Sequence, residues 1–307
     1  MTVVETLLMT AVLAAVPLML AAIGEGIGQR GGMLNLGVEG VMLTGALAAF
    51  VAVEATGSFL FGLLAGAAAG GGIGLLFGVL ATRYTANQVV LGLGIALAGQ
   101  GLTGFLFRER YGLTQPLLDR GMSRPFDGLD GIPLVGPMLF GQKWFVYVAW
   151  LGVVAIALVL RRTRAGLVLT AAGDAPFSVE AAGIDVGRVR IVAATTGQAL
   201  GGLGGAALAI VEVGFFTPGF TVGVGFIAIA LAMLGRQDPV RIAVLALVFG
   251  LLRGLGTAIQ LTDLHIRSEF LEMIPYLGVI LLVVALGRRA RLPAALGLAY
   301  HRGARGT

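Results

Sequence analysis

The sequence has no cysteine and few ionisable residues. The absence of cysteine among its 307 residues excludes disulfide bonds and thiolate metal ligands. Asp, Glu, Lys and Arg together make up 12% of the chain, whereas a soluble domain carries about 25%. This scarcity of charge excludes an ordinary cytosolic enzyme and a secreted globular domain.

Histidine and lysine are also rare, which removes several kinds of site. The two histidines, His265 and His301, lie far apart in the sequence and cannot form a metal cluster by themselves. The only lysine, Lys143, precedes Trp144, whereas a phosphate-binding Walker loop needs a lysine followed by Ser or Thr. We therefore predict no catalytic residues, no metal site, no cofactor and no ATPase site in this chain.

Long apolar runs are abundant instead. Hydrophobic residues make up 57% of the chain, and the mean hydropathy is +0.95. A spanning helix needs about 20 apolar residues and satisfies its own backbone hydrogen bonds, and the runs lack the alternation of barrel strands. They predict an all-α, polytopic membrane helical bundle with about nine transmembrane helices (about eight to ten), in a single domain over residues 1–307. The runs are Val3–Ile23, Met33–Val53, Phe59–Ala81, Gln88–Phe107, Trp144–Leu160, Ile191–Val211, Phe220–Leu234, Ile242–Leu261 and Phe270–Gly287.

Glycine is unusually frequent, with 50 residues in the chain. Glycines four residues apart share one face of a helix and allow a neighbouring helix to approach closely. The third run carries five such glycines and the sixth run carries three. They are Gly62, Gly66, Gly70, Gly74 and Gly78, and Gly197, Gly201 and Gly205.

The basic residues predict an orientation in the membrane. The net charge is +5, and the arginines sit in short loops between apolar runs, which is typical of membrane topology rather than of nucleic-acid binding. Most of them fall on the same side as a segment at about 161–190, which we expect to be cytoplasmic. The N-terminus is then outside, the C-terminus is cytoplasmic, and an external loop covers about 108–143.

Two polar residues interrupt the second run. Asn35 and Glu39 lie four residues apart, so a continuous helix would place them on one face. Gly37 and Gly40 weaken that helix, and broken helices supply free backbone groups at transporter sites. Asn35 and Glu39 are therefore candidates for a substrate path, and the alternative is that they cap and brace a helix break.

The fourth run carries a second polar set. Asn87 and Gln88 lie at its start, and Gln100 lies within it. Polar side chains inside a bilayer usually face the protein interior or a cavity. We predict that all three line the substrate path, with helix capping as the alternative for Asn87 and Gln88.

Other residues in the runs suggest a pair and an aromatic group. Arg253 lies deep in its run and Glu212 ends an earlier one, so they are expected to pair unless Arg253 faces a wet cavity. Phe215, Phe216 and Phe226 could stack on a flat ligand, although phenylalanine in a helical bundle more often packs.

Several motifs carry a family resemblance. The segment Gly32–Ala46 resembles the signature of permease subunits of ABC importers of the ribose and branched-chain amino acid type, in the nucleoside (simple-sugar) branch. The resemblance implies a fold like that of type II ABC importer permeases, and it covers most of the chain. Further matching segments are Ala86–Gly92, Gly101–Leu106, Thr163–Leu167, Ala172–Gly173, Ala181–Ile184, Gly225–Ala228, Gly235–Pro239 and Leu292–Gly297.

The resemblance implies partners and a cargo. A second homologous permease, or a second copy of this chain, would complete the path in the cell (inner) membrane, among membrane lipid. Cytoplasmic ABC ATPase subunits would bind ATP and Mg, and an external substrate-binding protein would deliver a nucleoside, a purine nucleoside above all. The alternatives are a simple sugar, riboflavin or another small polar metabolite, and a stand-alone secondary transporter driven by an ion gradient.

The resemblance also implies which segment of the chain contacts the ATPase. The segment Gly166–Gly183 matches the position of the coupling helix of such permeases. Its expected contact residues are Gly166, Gly173, Asp174, Glu180 and Gly183. The alternative is that this segment is a solvated connecting loop.

Overall fold

The computed structural model describes residues 3–118, 120–126, 135–260, 267–287 and 291–300. These ranges form twelve α-helices and one π-helical segment, and their only β pairing is an isolated bridge. The all-α polytopic bundle is thus confirmed. The helices are α1 (Val3–Arg30), α2 (Val38–Thr56), α3 (Phe59–Arg83), α4 (Gln88–Tyr111), α5 (Val135–Leu139), α6 (Trp144–Arg162), α7 (Arg164–Asp174), α8 (Pro176–Ala181), α9 (Val186–Ala206), α10 (Val224–Leu234), α11 (Pro239–Gln260) and α12 (Ser268–Leu286), and the π-helical segment is Ala207–Val213.

Eight helices among the described residues are long and apolar enough to cross a membrane. The seventh predicted run, Phe220–Leu234, is wrong as a spanning helix because it forms only α10, with 11 residues. A helix of that length extends about 16 Å, roughly half of an apolar bilayer core. Gly219 and Gly223 precede α10 with φ angles of +76° and +85°, and such left-handed residues cannot continue an α-helix. The eight are α1, α2, α3, α4, α6, α9 with the π-helical segment, α11 and α12.

Different contacts mark the two ends of the bundle. At one end, Arg30 donates to the Gln237 carbonyl (3.1 Å) and Arg161 pairs with Asp238 (2.6 Å). We call this end, where α7 and α8 also lie, the basic end. At the opposite end, the Leu118 N–H donates to the Gly214 carbonyl (3.0 Å). The chain therefore returns from the opposite end to the basic end through residues 214–223 and α10.

The glycine stripe of α3 packs closely against a neighbouring helix, as predicted, and the structure shows that this neighbour is α9. A β-carbon added to Gly70 would lie 2.8 Å from the Gly202 Cα, and one added to Gly74 would lie 2.6 Å from the Ala194 carbonyl oxygen. Such distances leave no room for a side chain. The two helices are therefore in backbone contact over several turns, which fixes α9 in the middle of the bundle between α1, α2 and α3.

The chain that connects α1 to α2 is not helical. Residues 31–37 are not helical, and α2 begins only at Val38. Asn35 therefore lies in the connection while Glu39 lies in the first turn of α2, so a shared helical face is wrong for this pair. Gly32 has a φ of +84°, a conformation that favours glycine. The expected helix break is thus present, and it turns the chain back into the bundle.

The segment between α6 and α9 forms two helices rather than the single short element that the sequence suggested. The Thr163 hydroxyl accepts from the Gly166 N–H (3.3 Å) and caps the start of α7. Pro176 begins α8, and its fixed φ suits the first turn of a helix. Helix α9 begins at Val186, five residues before the predicted Ile191, because the Asp185 side chain caps it there.

Candidate functional site

A cluster of buried polar side chains surrounds Glu25. The Glu25 side chain is in α1 and is 1% exposed. Its carboxylate accepts from the Gln29 amide (3.2 Å), the Asn35 backbone N–H (3.2 Å) and the Gln198 amide (3.1 Å). Gln88 approaches the same connection, since its side-chain oxygen accepts from the Leu34 N–H (2.7 Å). We call Glu25, Gln29, Asn35, Gln88 and Gln198 the inner polar cluster.

The inner polar cluster contains buried polar atoms without a partner. They are the Asn35 Nδ2, the Gln88 Nε2 and the Gln198 Oε1. An unsatisfied buried donor or acceptor costs about 1–3 kcal/mol, and such atoms are places where water or a ligand group binds. The cluster can therefore offer both donors and an acceptor beside one carboxylate.

Sequence reasoning found part of this cluster and missed its centre. Asn35 and Gln88 were predicted, and the structure brings them to the same connection. Glu25 and Gln198 were missed. The spacing of Glu25 and Gln29, four residues apart just after the first predicted run, was an available signal. No local signal could have joined Gln198, because it is 173 residues away from Glu25.

Glu39 holds the start of the half-length helix α10. Its carboxylate accepts from the Thr221 hydroxyl, the Gly223 N–H (2.9 Å) and the Gly225 N–H (2.7 Å). Glu39 also lies in the first turn of α2, so the positive ends of two helix dipoles face its charge. This geometry joins α2 to α10 and supplies the acceptors that the first N–H groups of α10 need.

A cavity of about 400 Å³ opens between α10, α11, α12 and the π-helical segment. We call it the outer cavity. Thr221 lines it and also donates to Glu39, so the cavity ends at the start of α10. Aromatic, hydroxyl, amide and charged groups all contribute to the wall. Its polar and aromatic lining residues include Phe215, Phe220, Phe249, Arg253, Thr257, Gln260, Glu272 and Tyr276.

The predicted pair of Arg253 and Glu212 is present beside the outer cavity. The Arg253 Nη1 lies 2.9 Å from the Glu212 Oε1. Arg253 lines the cavity while Glu212 is more deeply buried. Both alternatives for Arg253 are therefore realised, because it pairs with a carboxylate and also faces a cavity.

The remaining predicted path residues lie apart from the cluster and the cavity. Asn87 is exposed and caps α4 by accepting from the Val89 and Val90 N–H groups (3.0 and 3.2 Å), as its alternative interpretation expected. Gln100 is exposed on α4. The structure therefore does not bring Asn87 or Gln100 together with Asn35.

The three phenylalanines proposed as a stack do not form one. Phe215 lines the outer cavity, whereas Phe216 is fully buried and packs against Phe107 and Phe220 with ring centroids 5.7 and 5.2 Å apart. Phe226 is exposed on α10. Of these three, Phe215 alone lines the outer cavity, where Phe220 and Phe249 also contribute rings.

The predicted coupling residues divide into packed and exposed ones. Gly166 and Gly173 are buried, and Gly173 packs directly against the Arg30 carbonyl at the end of α1. Asp174 and Gly183 are exposed at the basic end, and Glu180 accepts from the Tyr300 hydroxyl. Glu180 and Gly183 line a cleft of about 580 Å³ together with Thr82, Arg83, Thr85, Ile184, Asp185, Val186, Gly187, Arg188, Ile191 and Tyr300.

An ion pair fixes the loop between α10 and α11 at the basic end. Burial raises the pKa of Asp238, but hydrogen bonds from the Arg161 side chain and the Arg241 N–H outweigh burial and lower this pKa below its ordinary value. Asp238 is therefore ionised at neutral pH and binds Arg161 at the end of α6. Within the described part of the chain, no group of three His, Asp or Glu side chains is arranged to hold a metal ion.

These features define the class of the protein. Its residues 7–286 match the family described as the branched-chain amino acid transport system permease component. The chain belongs to this family and is a multi-pass membrane protein, the permease subunit of an ABC importer.

Individual relatives match over nearly the whole chain. A putative glucose ABC transporter permease protein of Haloferax volcanii is 33% identical over 96% of this chain and 97% of its own length. The guanosine ABC transporter permease protein NupQ of Bacillus subtilis is 30% identical over 95% of both chains. The nucleoside ABC transporter permease protein NupC of Lactococcus lactis is 30% identical over 92% of this chain and 93% of its own. No solved structure matches the chain.

Proposed function

We propose that this permease imports nucleosides, with the outer cavity as the part of the path that first receives the cargo. The observation that carries this proposal is the cavity of about 400 Å³ that ends at the Glu39-capped start of α10. Its volume lies in the range of about 300–1,000 Å³ found for small-molecule sites. A half-length helix that begins beside a binding cavity is the arrangement that transporters use for cargo.

The cavity wall suits a flat, neutral and polar molecule. Phe215 and Phe220 offer ring surfaces to a base, while Thr257 and Gln260 offer hydrogen bonds to hydroxyl groups. Arg253 already has Glu212 as its counter-charge, so a neutral cargo brings no unpaired charge. The guanosine and nucleoside permeases among the relatives support the same class. A simple sugar is the second candidate, because a putative glucose permease is 33% identical to this chain.

Charge and exposure support a position for each partner in this proposal. The basic end faces the cytoplasm, since cytoplasmic loops carry the excess of Lys and Arg. There α7, α8 and the turn after α8 contact ABC ATPase subunits, which bind ATP and Mg, through exposed residues such as Asp174 and Gly183. An external binding protein delivers cargo at the opposite end, and a second permease or a second copy of this chain completes the path.

Orientation is testable directly because the native chain has no cysteine. Thr56→Cys places a thiol at the opposite end and Ser178→Cys places one on α8, and both native side chains are exposed. In intact cells, a membrane-impermeant maleimide is expected to label Thr56→Cys but not Ser178→Cys. Inverted membrane vesicles should give the reverse pattern. Labelling of Ser178→Cys in intact cells would contradict the proposed orientation.

Cargo is tested by uptake in proteoliposomes that contain the complete complex. The binding protein is added outside the proteoliposomes and ATP is enclosed inside them. Labelled nucleoside is then expected to accumulate inside, and excess unlabelled glucose should not compete. Thr257→Trp puts a large side chain on the cavity wall, and overpacking of about 1–3 kcal/mol would lower uptake by about fivefold or more.

Thr56→Trp is the matched control for the cavity variant. Both threonines are exposed, and each hydroxyl donates to the carbonyl four residues earlier, but Thr56 is outside the cavity. Uptake by Thr56→Trp should equal that of the native chain. Competition by glucose but not by nucleosides would replace the nucleoside proposal with the sugar one, and equal uptake by both variants would remove the outer cavity from the path.

A further inference from the structure

The chain near its C-terminus packs back against the basic end of the bundle. We call residues 291–300 the C-terminal segment. Its Ala295 N–H donates to the Gly173 carbonyl (2.8 Å) at the end of α7. Its Gly297 N–H donates to the Gly32 carbonyl (3.0 Å) in the connection between α1 and α2. One short segment thus bonds to both a coupling helix and the helix break that carries Asn35.

A buried arginine holds the C-terminal segment in place. Arg190, in α9, is 2% exposed. Its guanidinium donates to the Leu298 carbonyl (2.8 Å) and the Ala295 carbonyl (3.5 Å), and it lies 5.8 Å from the centroid of the Tyr300 ring. Hydrogen bonds from a charged donor are stronger than neutral ones. The carbonyls of the C-terminal segment therefore accept hydrogen bonds from both terminal nitrogens of this buried guanidinium.

The last contact reaches α8. The Tyr300 hydroxyl donates to the Glu180 carboxylate, and the Tyr300 ring packs against Phe177 with centroids 5.6 Å apart. Tyr300 also packs against the apolar cluster of Ala172, Val179 and Val186, which joins α7, α8 and α9. The coupling helices are thereby held to the C-terminal segment by charge-assisted, aromatic and apolar contacts together.

We propose that the C-terminal segment is the linkage that moves the α1–α2 connection together with α7 and α8. Through Ala295 and Tyr300 it follows the coupling helices, and through Gly297 it holds Gly32, three residues before Asn35. A displacement of α7–α8 is then transmitted to the inner polar cluster as a rigid movement. Tyr300 and Arg190 are positioning residues in this linkage. The inference rests on the proposed contact of α7 and α8 with an ATPase.

The test is Tyr300→Phe in the reconstituted complex. This variant keeps the ring and removes the hydroxyl that donates to Glu180, a bond to a charged group whose loss is expected to reduce nucleoside uptake per ATP hydrolysed by about tenfold. Arg190→Lys keeps the charge but loses the forked geometry, and it should reduce the same ratio. Tyr84→Phe is the matched control, because Tyr84 is exposed at the end of α3 on the same side, and its ratio should stay native.

Hydrogen–deuterium exchange measures whether the two segments respond together, and it does not depend on which cargo is transported. In the native complex, ATP binding is expected to change exchange both at residues 164–181 and at residues 31–37. In Tyr300→Phe the change at 164–181 should persist while the change at 31–37 is reduced, because the bond from the Ala295 N–H to the Gly173 carbonyl remains. A proportional fall in uptake and ATP hydrolysis, or an unchanged response at 31–37, would overturn the linkage.

Failure of the underlying function gives a different result. A native chain that does not copurify with any ATPase contradicts the proposed coupling contact and the linkage with it. A native complex that responds to ATP at both segments but takes up no nucleoside contradicts only the cargo, and the exchange experiment still supports or overturns the linkage.

Discussion

Gly70→Val is expected to lower the stability and the yield of folded protein strongly. The added β-carbon would lie 2.8 Å from the Gly202 Cα and would overlap the Gln198 carbonyl. Overpacking usually costs about 1–3 kcal/mol when side chains can adjust. Here both obstacles are backbone atoms of α9, so relief requires separation of two helices that touch along several turns. We expect a loss above about 3 kcal/mol from a total stability of about 5–15 kcal/mol.

The measurement is the melting temperature and the monodisperse yield of purified protein in mild detergent. Gly72→Val is the matched control, because Gly72 is on the same helix, is exposed and has open space where a β-carbon would lie. Its stability should stay within about 0.5 kcal/mol of native, as for most surface substitutions. Gly70→Ala should fall between the two, since its β-carbon alone already collides. Equal melting temperatures for the two valine variants would disprove the close contact of α3 with α9.

Glu39→Ala is expected to lower both stability and uptake strongly. The substitution leaves the Gly223 and Gly225 N–H groups and the Thr221 hydroxyl without their acceptor. Each unsatisfied buried group costs about 1–3 kcal/mol, and the start of α10 borders the outer cavity. We expect uptake to fall by at least about tenfold, which corresponds to 1.4 kcal/mol, and the melting temperature to fall as well.

Two further variants make this prediction specific to the carboxylate. Glu39→Gln keeps one side-chain oxygen but turns the other position into a donor, so its effect should lie between those of native and Glu39→Ala. Glu54→Ala is the control on the same helix, because Glu54 pairs with Arg110 (3.0 Å) at an exposed site, where such a pair contributes about 0–1 kcal/mol. Native uptake by Glu39→Ala would mean that the start of α10 needs no acceptor for transport.

Tertiary contacts explain why sequence reasoning named only half of the candidate site. Asn35 was predicted to share a helical face with Glu39, whereas in the structure the Asn35 backbone N–H donates to Glu25. Glu39 instead bonds to residues more than 180 positions later. A spacing of four residues predicts a shared face only where the helix is continuous, and the connection before Val38 is not helical.

The sequence by itself determined the class of the protein, most of its spanning helices and the packing stripe of α3. These are local properties, because an apolar run must be long enough to span the bilayer, and glycines must repeat at the helical period to lie on one face. The Arg253–Glu212 pair also followed from the cost of charge in an apolar bundle.

Only the tertiary structure decided the rest. The inner polar cluster needs Gln198 beside Glu25, the cap of α10 needs Glu39, and the C-terminal segment needs Arg190. Each of these contacts joins elements far apart in the chain. A polar group in an apolar bundle forms hydrogen bonds with the polar groups that helix packing brings near it. Its partner therefore depends on how all the helices pack, and not on its own sequence neighbours.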